Sequence, residues 1–135
     1  RNVDVIFHHA ALPSVARSVA NPLESNEVNI AGTLNVLLAA RDAGVKRVVY
    51  AASSSAYGLK NPIPNTEDMP TDCLNPYSLS KKGGEELCEM YRSLYGLSTI
   101  SLRYFNVYGT RQALSNPYTG VAAIFASRSS VLGST

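Results

Sequence analysis

The chain has 135 residues, of which 45% are hydrophobic and 16% charged, and its formal net charge at pH 7 is +2. This length predicts at most one domain, with enough residues to bury a core. The net charge is too small to indicate nucleic acid or an acidic membrane surface as a partner, and the longest apolar runs, such as residues 36–40, are too short to cross a bilayer. Two cysteines, Cys73 and Cys88, do not make a disulfide framework, and with the two histidines they lack zinc-ligand spacing. We therefore expect a cytoplasmic protein with no metal site.

Three strand-like segments alternate with two helix-like segments along the chain. The strands are apolar, β-rich runs at residues 3–7, 47–52 and 98–107. Each helix begins at an Asn-Pro pair, in which the asparagine caps the helix and the proline takes its first position, and each ends before a glycine. The two predicted helices span residues 22–43 and 76–95. The segments between them, at 8–20 and 53–74, read as loops, and residues 121–128 read as one more helical stretch.

This alternation predicts an α/β fold with a parallel sheet, because the connections are long enough for right-handed crossovers. Ligands of such sheets bind outside the carboxyl ends of the strands. Three polar clusters follow the three predicted strands there: "HHAALPS", "SSSAYG" and "YFNVYG". Tyr77 and Lys81 lie in the first turns of the second helix, beside this edge. Of the eight tyrosines, only Tyr77 has a lysine four residues further on, so its position favours a functional pair over a chance one.

The clusters resemble a known family. Ser53 in "SSS", followed by "PYSLSK" and "RYFNVYG", with "HHAA" and "NIAGT" in order before them, resembles the extended short-chain dehydrogenase/reductase family over residues 2 to about 128. Within that family, the chain is similar to the nucleotide-sugar 4-epimerases. The resemblance implies the middle of a Rossmann-like, doubly wound parallel sheet, NAD as the cofactor and a UDP-sugar as the substrate. It also implies a homodimer formed through the helices at 22–43 and 76–95.

The resemblance makes Ser53, Tyr77 and Lys81 the expected catalytic residues. A free tyrosine ionises near pH 10, and an ammonium group one helical turn away, together with a positively charged nicotinamide, favours the phenolate. Tyr77 would then take the proton of a sugar hydroxyl while hydride leaves the same carbon for NAD. Ser53 would stabilise the oxygen as it becomes a ketone. Lys81 would also hold the nicotinamide ribose.

The resemblance further assigns residues to cofactor and substrate. Besides Tyr77 and Lys81, the expected cofactor-binding residues are Ala10, Ala11, Leu12, Tyr104 and Phe105. The expected substrate-binding residues are Ser14, Ser53, Ser54 and Asn106. Each has a plainer alternative: tight sheet packing for the alanines, a loop turn for Ser14, and strand-end packing for the residues of "RYFN".

Other residues on the two helices are expected to have structural roles. Asn29 would order backbone near the site. Gly83 and Gly84 would allow another element to approach the second helix closely, since glycine is otherwise unfavourable inside a helix. Three glutamates of that helix are expected to form a solvated face: Glu85, Glu86 and Glu89.

The residues around Ser53 favour one reaction type. In the family's sugar 4,6-dehydratases, the sequence at this place resembles Thr-Asp-Glu, because eliminating water needs an extra acid and base. The family's decarboxylases usually carry a glutamate there. Ser53-Ser54-Ser55 contains no carboxylate. The sequence therefore favours a 4-epimerase, and "AALPSVARSV" with "YAASSSAYG" favours a UDP-N-acetylhexosamine substrate. The alternatives are a dehydratase or ketoreductase of the same family, and a non-catalytic fold remnant.

The spacing of the glycines predicts what the chain lacks. No two of the nine glycines are two or three residues apart, so no glycine-rich pyrophosphate loop is present. In the family that loop precedes the position of Arg1. We therefore expect residues 1–128 to be the catalytic middle segment of an NAD-binding domain, and residues 129–135 to be a tail that is non-native or disordered.

Overall fold

The computed structural model describes residues 2–109, and the core of the fold is a three-stranded parallel sheet. Its strands, in spatial order, are β1 (Val5–His8), β2 (Arg47–Ala51) and β3 (Ser98–Leu102). The predicted α/β class with a parallel sheet is confirmed. β3 ends at Leu102 rather than at residue 107, because Leu102 pairs with Ala51, the last residue of β2. The predicted helix at 121–128 and the tail at 129–135 lie outside the described residues.

Residues 2–104 form one compact unit, and the described residues 105–109 belong to a second unit. The helices of the first unit are α1 (Val15–Ala20), α2 (Pro22–Asn26), α3 (Gly32–Asp42) and α4 (Pro76–Tyr95). A π-helical turn, Glu27–Ala31, joins α2 to α3, and a 3-10 turn, Ser54–Tyr57, follows β2. No helix within residues 2–109 is long and apolar enough to span a membrane.

The segment between β1 and β2 differs from the prediction in two ways. The sequence predicts a loop over residues 8–20, but α1 forms there because the Ser14 hydroxyl accepts from the backbone N–H of Arg17 at 3.2 Å. It predicts one regular helix over residues 22–43, and the π-helical turn interrupts it. Asn21 does cap α2, as predicted, by accepting from the backbone N–H of Glu24.

The start and end of α4 confirm the prediction for the second helix. The Asn75 side chain accepts from the backbone N–H of Ser78 at 2.8 Å, and the Ser78 hydroxyl accepts in return from the backbone N–H of Asn75 at 3.2 Å. This reciprocal capping box, with Pro76 at the first helical position, fixes the register of the helix that carries Tyr77. Gly96 ends α4 with a left-handed φ of 68°.

The core lies between the sheet and the helices α3 and α4. Tyr50 of β2 is fully buried beneath α4, and a Cβ at Gly84 would collide with its ring and hydroxyl. A Cβ at Gly83 would lie 3.2 Å from Cδ1 of Ile30. Both contacts confirm the close approach expected at these glycines. Among residues 2–109, β1 pairs only with β2, and Phe7 on β1 is 67% exposed.

Candidate active site

The carboxyl ends of the three strands bring the predicted site segments to one edge of the sheet. β1 leads into residues 9–12, β2 leads into the serine turn (residues 53–57), and β3 leads into Tyr104. The strands are parallel, so all three segments leave the sheet on the same side. The N-terminal turns of α4 contact the serine turn and α1 at this edge. This is the edge at which parallel α/β sheets bind ligands.

The side chain of Lys81 is buried and points to the end of β2. Its Nζ donates to the Ala51 carbonyl at 2.8 Å and lies 5.1 Å from the ring centroid of Tyr50. Only 4% of the residue is exposed, and burial lowers the pKa of the ammonium from 10.5 to about 8. The fold therefore holds a cation at the strand edge whose proton is released more readily than that of an exposed lysine.

Tyr77, in the first turn of α4, is held through its backbone. Its N–H donates to the Ser18 hydroxyl at 3.0 Å, and that hydroxyl donates to the Val15 carbonyl at 2.8 Å. Ser18 is fully buried and connects α1 to α4 next to the site. Sequence reasoning missed this role, because the segment reads as a loop and a single serine carries no pattern.

The serine turn is ordered by its own hydroxyls. Ser53 caps the 3-10 turn: its Oγ accepts from the backbone N–H of Ser55 at 3.2 Å and lies 2.8 Å from the Ser55 Oγ. The backbone N–H of Ser54 donates to the Tyr104 carbonyl at 3.0 Å, which joins this turn to the end of β3. Within residues 2–109, no hydrogen bond links the side chains of Ser53, Tyr77 and Lys81 to one another. The three groups share an edge of the sheet, each held by separate partners.

Asn29 orders the loop after β1, as expected. Its side-chain oxygen accepts from the backbone N–H of Leu12 at 2.7 Å, and its amide nitrogen donates to the Leu12 carbonyl at 3.2 Å and to the Ser80 hydroxyl at 3.0 Å. Asn29 lies inside the π-helical turn and is 1% exposed. Such turns occur often at functional sites, and this one ties the loop at Leu12 to α4.

The remaining predicted residues lie on the loops after the strands. Ala10 is exposed and Ala11 partly buried, while the Tyr104 ring lies 6.1 Å from that of His9. Ser14 has a φ of 108°, which is uncommon for a residue with a side chain, and its hydroxyl caps α1. The loop-turn alternative for Ser14 thus has a physical basis. Phe105 and Asn106 belong to the second unit, residues 105–109, and are exposed there.

Comparisons with known proteins identify the family. The model of the NAD dependent epimerase/dehydratase family matches residues 1–131. The chain belongs to this family. The family membership predicted from the motifs around Ser53, Tyr77 and Lys81 is therefore confirmed.

Its relatives in this family include 4-epimerases. A UDP-glucose 4-epimerase of Mycolicibacterium smegmatis is 45% identical over 125 residues, which are 90% of this chain and 39% of that protein. The solved structure of a UDP-N-acetylglucosamine 4-epimerase from Methanobrevibacter ruminantium, in complex with UDP-N-acetylmuramic acid, matches with a TM-score of 0.83 and 36% identity, over 92% of this chain and 42% of that one. The solved structure of the Thermus thermophilus UDP-glucose 4-epimerase in complex with NAD matches with a TM-score of 0.82 and 40% identity. The match covers 93% of this chain and 41% of that one. The chain spans about two fifths of the length of these relatives.

The described edge fits the cofactor that gives the family its name. Lys81 supplies a buried cation at the end of β2, and the alanines after β1 carry no side chain beyond Cβ, which leaves the surface there low. Both backbone groups of Leu12 are engaged by Asn29, so this loop has a fixed height above the sheet. The Lys81 ammonium lies beside a loop with small side chains and a fixed backbone. This arrangement suits the binding of a ribose and an aromatic ring against the ends of the strands. Across residues 2–109, no cluster of three or more His, Cys, Asp or Glu side chains could bind a metal ion.

One expectation about α4 is wrong. The sequence places Glu85 on a solvated face, but its side chain is 9% exposed and forms two hydrogen bonds with Arg103, from Nε to Oε1 and from Nη2 to Oε2, both 2.8 Å long. A signal existed, since Glu85 follows Tyr77 and Lys81 at intervals of four residues, on the helix face that turns inward. Glu86 and Glu89 are not buried, as expected.

Proposed function

We propose that the chain is the catalytic segment, over residues 1–128, of an NAD-dependent nucleotide-sugar 4-epimerase. The observation that carries the proposal is the placement of the serine turn, Tyr77 and Lys81 along one edge of a parallel sheet in a member of this family. A 4-epimerase takes hydride from C4 of the sugar and a proton from its 4-hydroxyl, and then returns the hydride to the other face of the bound 4-keto sugar and a proton to its oxygen.

In this proposal Tyr77, Ser53 and Lys81 have different roles in the reaction. The Tyr77 hydroxyl takes the proton of the sugar's 4-hydroxyl and later returns a proton to the same oxygen. The Ser53 hydroxyl donates to that oxygen as the carbonyl forms, in place of its present contact with Ser55. Lys81 stays at the Ala51 carbonyl, one helical turn from Tyr77, and keeps a positive charge at this edge of the sheet.

NAD, when bound, would accept the hydride and give it back. Lys81 and Tyr77 would hold its nicotinamide half, together with the loop residues Ala10, Ala11, Leu12, Tyr104 and Phe105. Ser14, Ser54 and Asn106 would face the substrate along with Ser53. Support for these roles comes from the shared sheet edge of the residues in the first unit and from the family match.

The composition of the serine turn supports epimerisation over dehydration. Residues 52–58 contain no carboxylate. In the following loop Glu67 and Asp68 are exposed, and the Asp72 side chain, 18% exposed, pairs with Lys60 at 2.8 Å. Reversible oxidation at C4 needs a single acid/base at that oxygen, which Tyr77 provides, whereas loss of water needs a further acid and base. A 4,6-dehydratase is therefore the weaker candidate.

Product analysis of the full-length protein that contains this chain tests the proposal. The protein is incubated with UDP-glucose and with UDP-N-acetylglucosamine, and the products are examined by mass spectrometry and by NMR of the sugar. We expect a 4-epimer of unchanged mass, with the N-acetylated sugar preferred. A product lighter by one water would identify a dehydratase, and no product from any nucleotide sugar would favour the non-catalytic alternative.

We also propose that the full-length protein is a cytoplasmic homodimer. Exposed apolar side chains on the two long helical segments, at 22–43 and 76–95, support the dimer: Leu23, Val28, Leu79, Met90 and Leu94. The free thiols of Cys73 and Cys88 fit a reducing compartment. Sedimentation analysis should give twice the monomer mass, and Leu79→Glu with Met90→Glu should give monomers; a monomeric wild type would refute this assembly.

A further inference from the structure

A buried ion pair joins three of the segments that carry candidate site residues, namely α4, the end of β3 and the serine turn. Glu85 of α4 and Arg103, the residue after β3, form a two-point pair, and the Arg103 guanidinium lies 4.7 Å from the ring centroid of Tyr57 in the serine turn. Their side chains are 9% and 18% exposed, and Tyr57 is 5% exposed. Hydrogen bonding to Glu85 raises the pKa of Arg103. Lys82 also contacts Glu85, at 3.4 Å.

The pair connects to the site through short stretches of backbone. Glu85 lies one helical turn after Lys81 on the same face of α4. Arg103 directly precedes Tyr104, whose carbonyl accepts from the backbone N–H of Ser54 at 3.0 Å. Tyr57 is the last residue of the 3-10 turn that Ser53 caps. Any movement of Arg103 away from Glu85 would thus shift the strand end against which Ser54 is hydrogen-bonded.

We propose that Arg103, Glu85 and Tyr57 act as a positioning clamp that fixes the serine turn relative to α4, and so sets the distance from Ser53 to Tyr77 and Lys81. The planar guanidinium is suited to this role because it can meet a carboxylate with two parallel hydrogen bonds and stack on an aromatic ring at the same time. The effect on catalysis rests on the proposed function, whereas the effect on the serine turn does not.

Stability alone is a weak explanation for this ion pair. Removing two charges from water costs about as much as their attraction returns, and well-packed apolar residues in place of such a pair are often neutral or stabilising. The pair Arg92–Glu89 on the same helix has similar two-point geometry but lies in solvent, with side chains 58% and 56% exposed. Within residues 2–109 it forms no ion pair with the serine turn or β3, which makes it a matched control.

The test uses the full-length protein, with hydrogen–deuterium exchange of residues 53–57 as the readout that needs no activity. The clamp variants are Arg103→Lys, which keeps the charge but loses the planar fork, and Glu85→Met combined with Arg103→Met, which leaves no unpaired charge. We expect exchange in residues 53–57 to rise by about tenfold in both, with the melting temperature of the double variant and exchange in residues 34–40 close to wild type. Glu89→Gln should leave exchange unchanged.

Steady-state kinetics then test the link to the reaction. A serine turn displaced by a fraction of an ångström should lower kcat by about 10- to 100-fold and change KM less, because the Ser53 hydroxyl acts on the oxygen at the reacting carbon as the ketone forms. Unchanged exchange in residues 53–57, or equal exchange increases throughout the chain, would overturn the clamp. Faster exchange of the turn with unchanged kcat in an active enzyme would overturn its role in positioning. A wild type that epimerises no sugar would refute the proposed function, and the exchange data would still decide on the clamp.

Discussion

The contact between Gly84 and Tyr50 predicts a large effect of adding one methyl group. In Gly84→Ala, the new Cβ would overlap the ring and hydroxyl of Tyr50, which is 1% exposed and packed between α4 and the sheet. Overpacking of a core costs about 1–3 kcal/mol, and an immobile ring puts this site at the upper end. Alanine gains back about 1 kcal/mol of helix propensity over glycine. We therefore expect the free energy of unfolding to fall by about 2 kcal/mol, measured by urea denaturation of the full-length protein.

The neighbouring glycine provides the control for this prediction. In Gly83→Ala the Cβ would lie 3.2 Å from Cδ1 of Ile30, the flexible end of a partly exposed side chain that can move. That variant should be neutral or more stable by up to about 1 kcal/mol. In a Tyr50→Leu background the cost of Gly84→Ala should fall by about 3 kcal/mol, because the overlap is gone and only the gain in helix propensity remains. Equal effects at the two glycines, or an undiminished cost beside Leu at position 50, would refute the reasoning.

Three further predictions concern the site itself. Tyr77→Phe should lower epimerase turnover by about 10²- to 10⁴-fold and largely spare NAD binding, as measured by kinetics and by the cofactor content of the purified protein; near-normal turnover would exclude Tyr77 as the acid/base. Ser53→Ala should cost up to about 3–4 kcal/mol of transition-state stabilisation and Ser55→Ala less, so a larger loss at Ser55 would shift the assignment of the turn. Burial lowers the pKa of Lys81 to about 8 from 10.5, so the folded chain binds fewer protons than the unfolded chain between these values. Without NAD, the free energy of unfolding of the wild type should therefore rise relative to that of Lys81→Met as the pH increases from 8 to about 10. Below about pH 7 the difference between the two proteins should be constant. A difference that does not change at any pH would contradict the burial of the ammonium.

The sequence predicted the elements whose signals are local, and these elements position most of the site. The Asn75-Pro76 start of α4 places Tyr77 and Lys81, and its capping box depends on residues three apart in the chain. Single-sequence patterns carry less information about contacts between distant elements. The hydrogen bond from Tyr77 to Ser18 joins residues 59 apart, and no periodicity marks it.

Glu85 shows why burial of a charged residue is hard to predict. Three glutamates close together on a helix favour a solvated face on composition alone, since charged side chains are rarely buried unless they are paired. Its partner, Arg103, is 18 residues further along the chain and follows the end of β3. Only the interval of four residues from Lys81 indicated that Glu85 faces inward. The π-helical turn around Asn29 was likewise missed, because the apolar spacing of residues 28–38 fits a regular helix equally well.

The glycine content of the chain leads to a last prediction, that the 135-residue polypeptide alone binds NAD only weakly. A pyrophosphate is held by backbone N–H groups at a glycine-rich turn leading into a helix N-terminus, and no two of the nine glycines have the spacing of such a turn. Lys81 and the loop after β1 would supply contacts to the nicotinamide half only, so we expect a Kd of about 1 mM or weaker by calorimetric titration, and no epimerase activity. The exposed Phe7 on β1 should also make the isolated chain self-associate, so sedimentation must accompany the titration. Micromolar NAD binding by the monomer would show that these residues alone hold the whole dinucleotide.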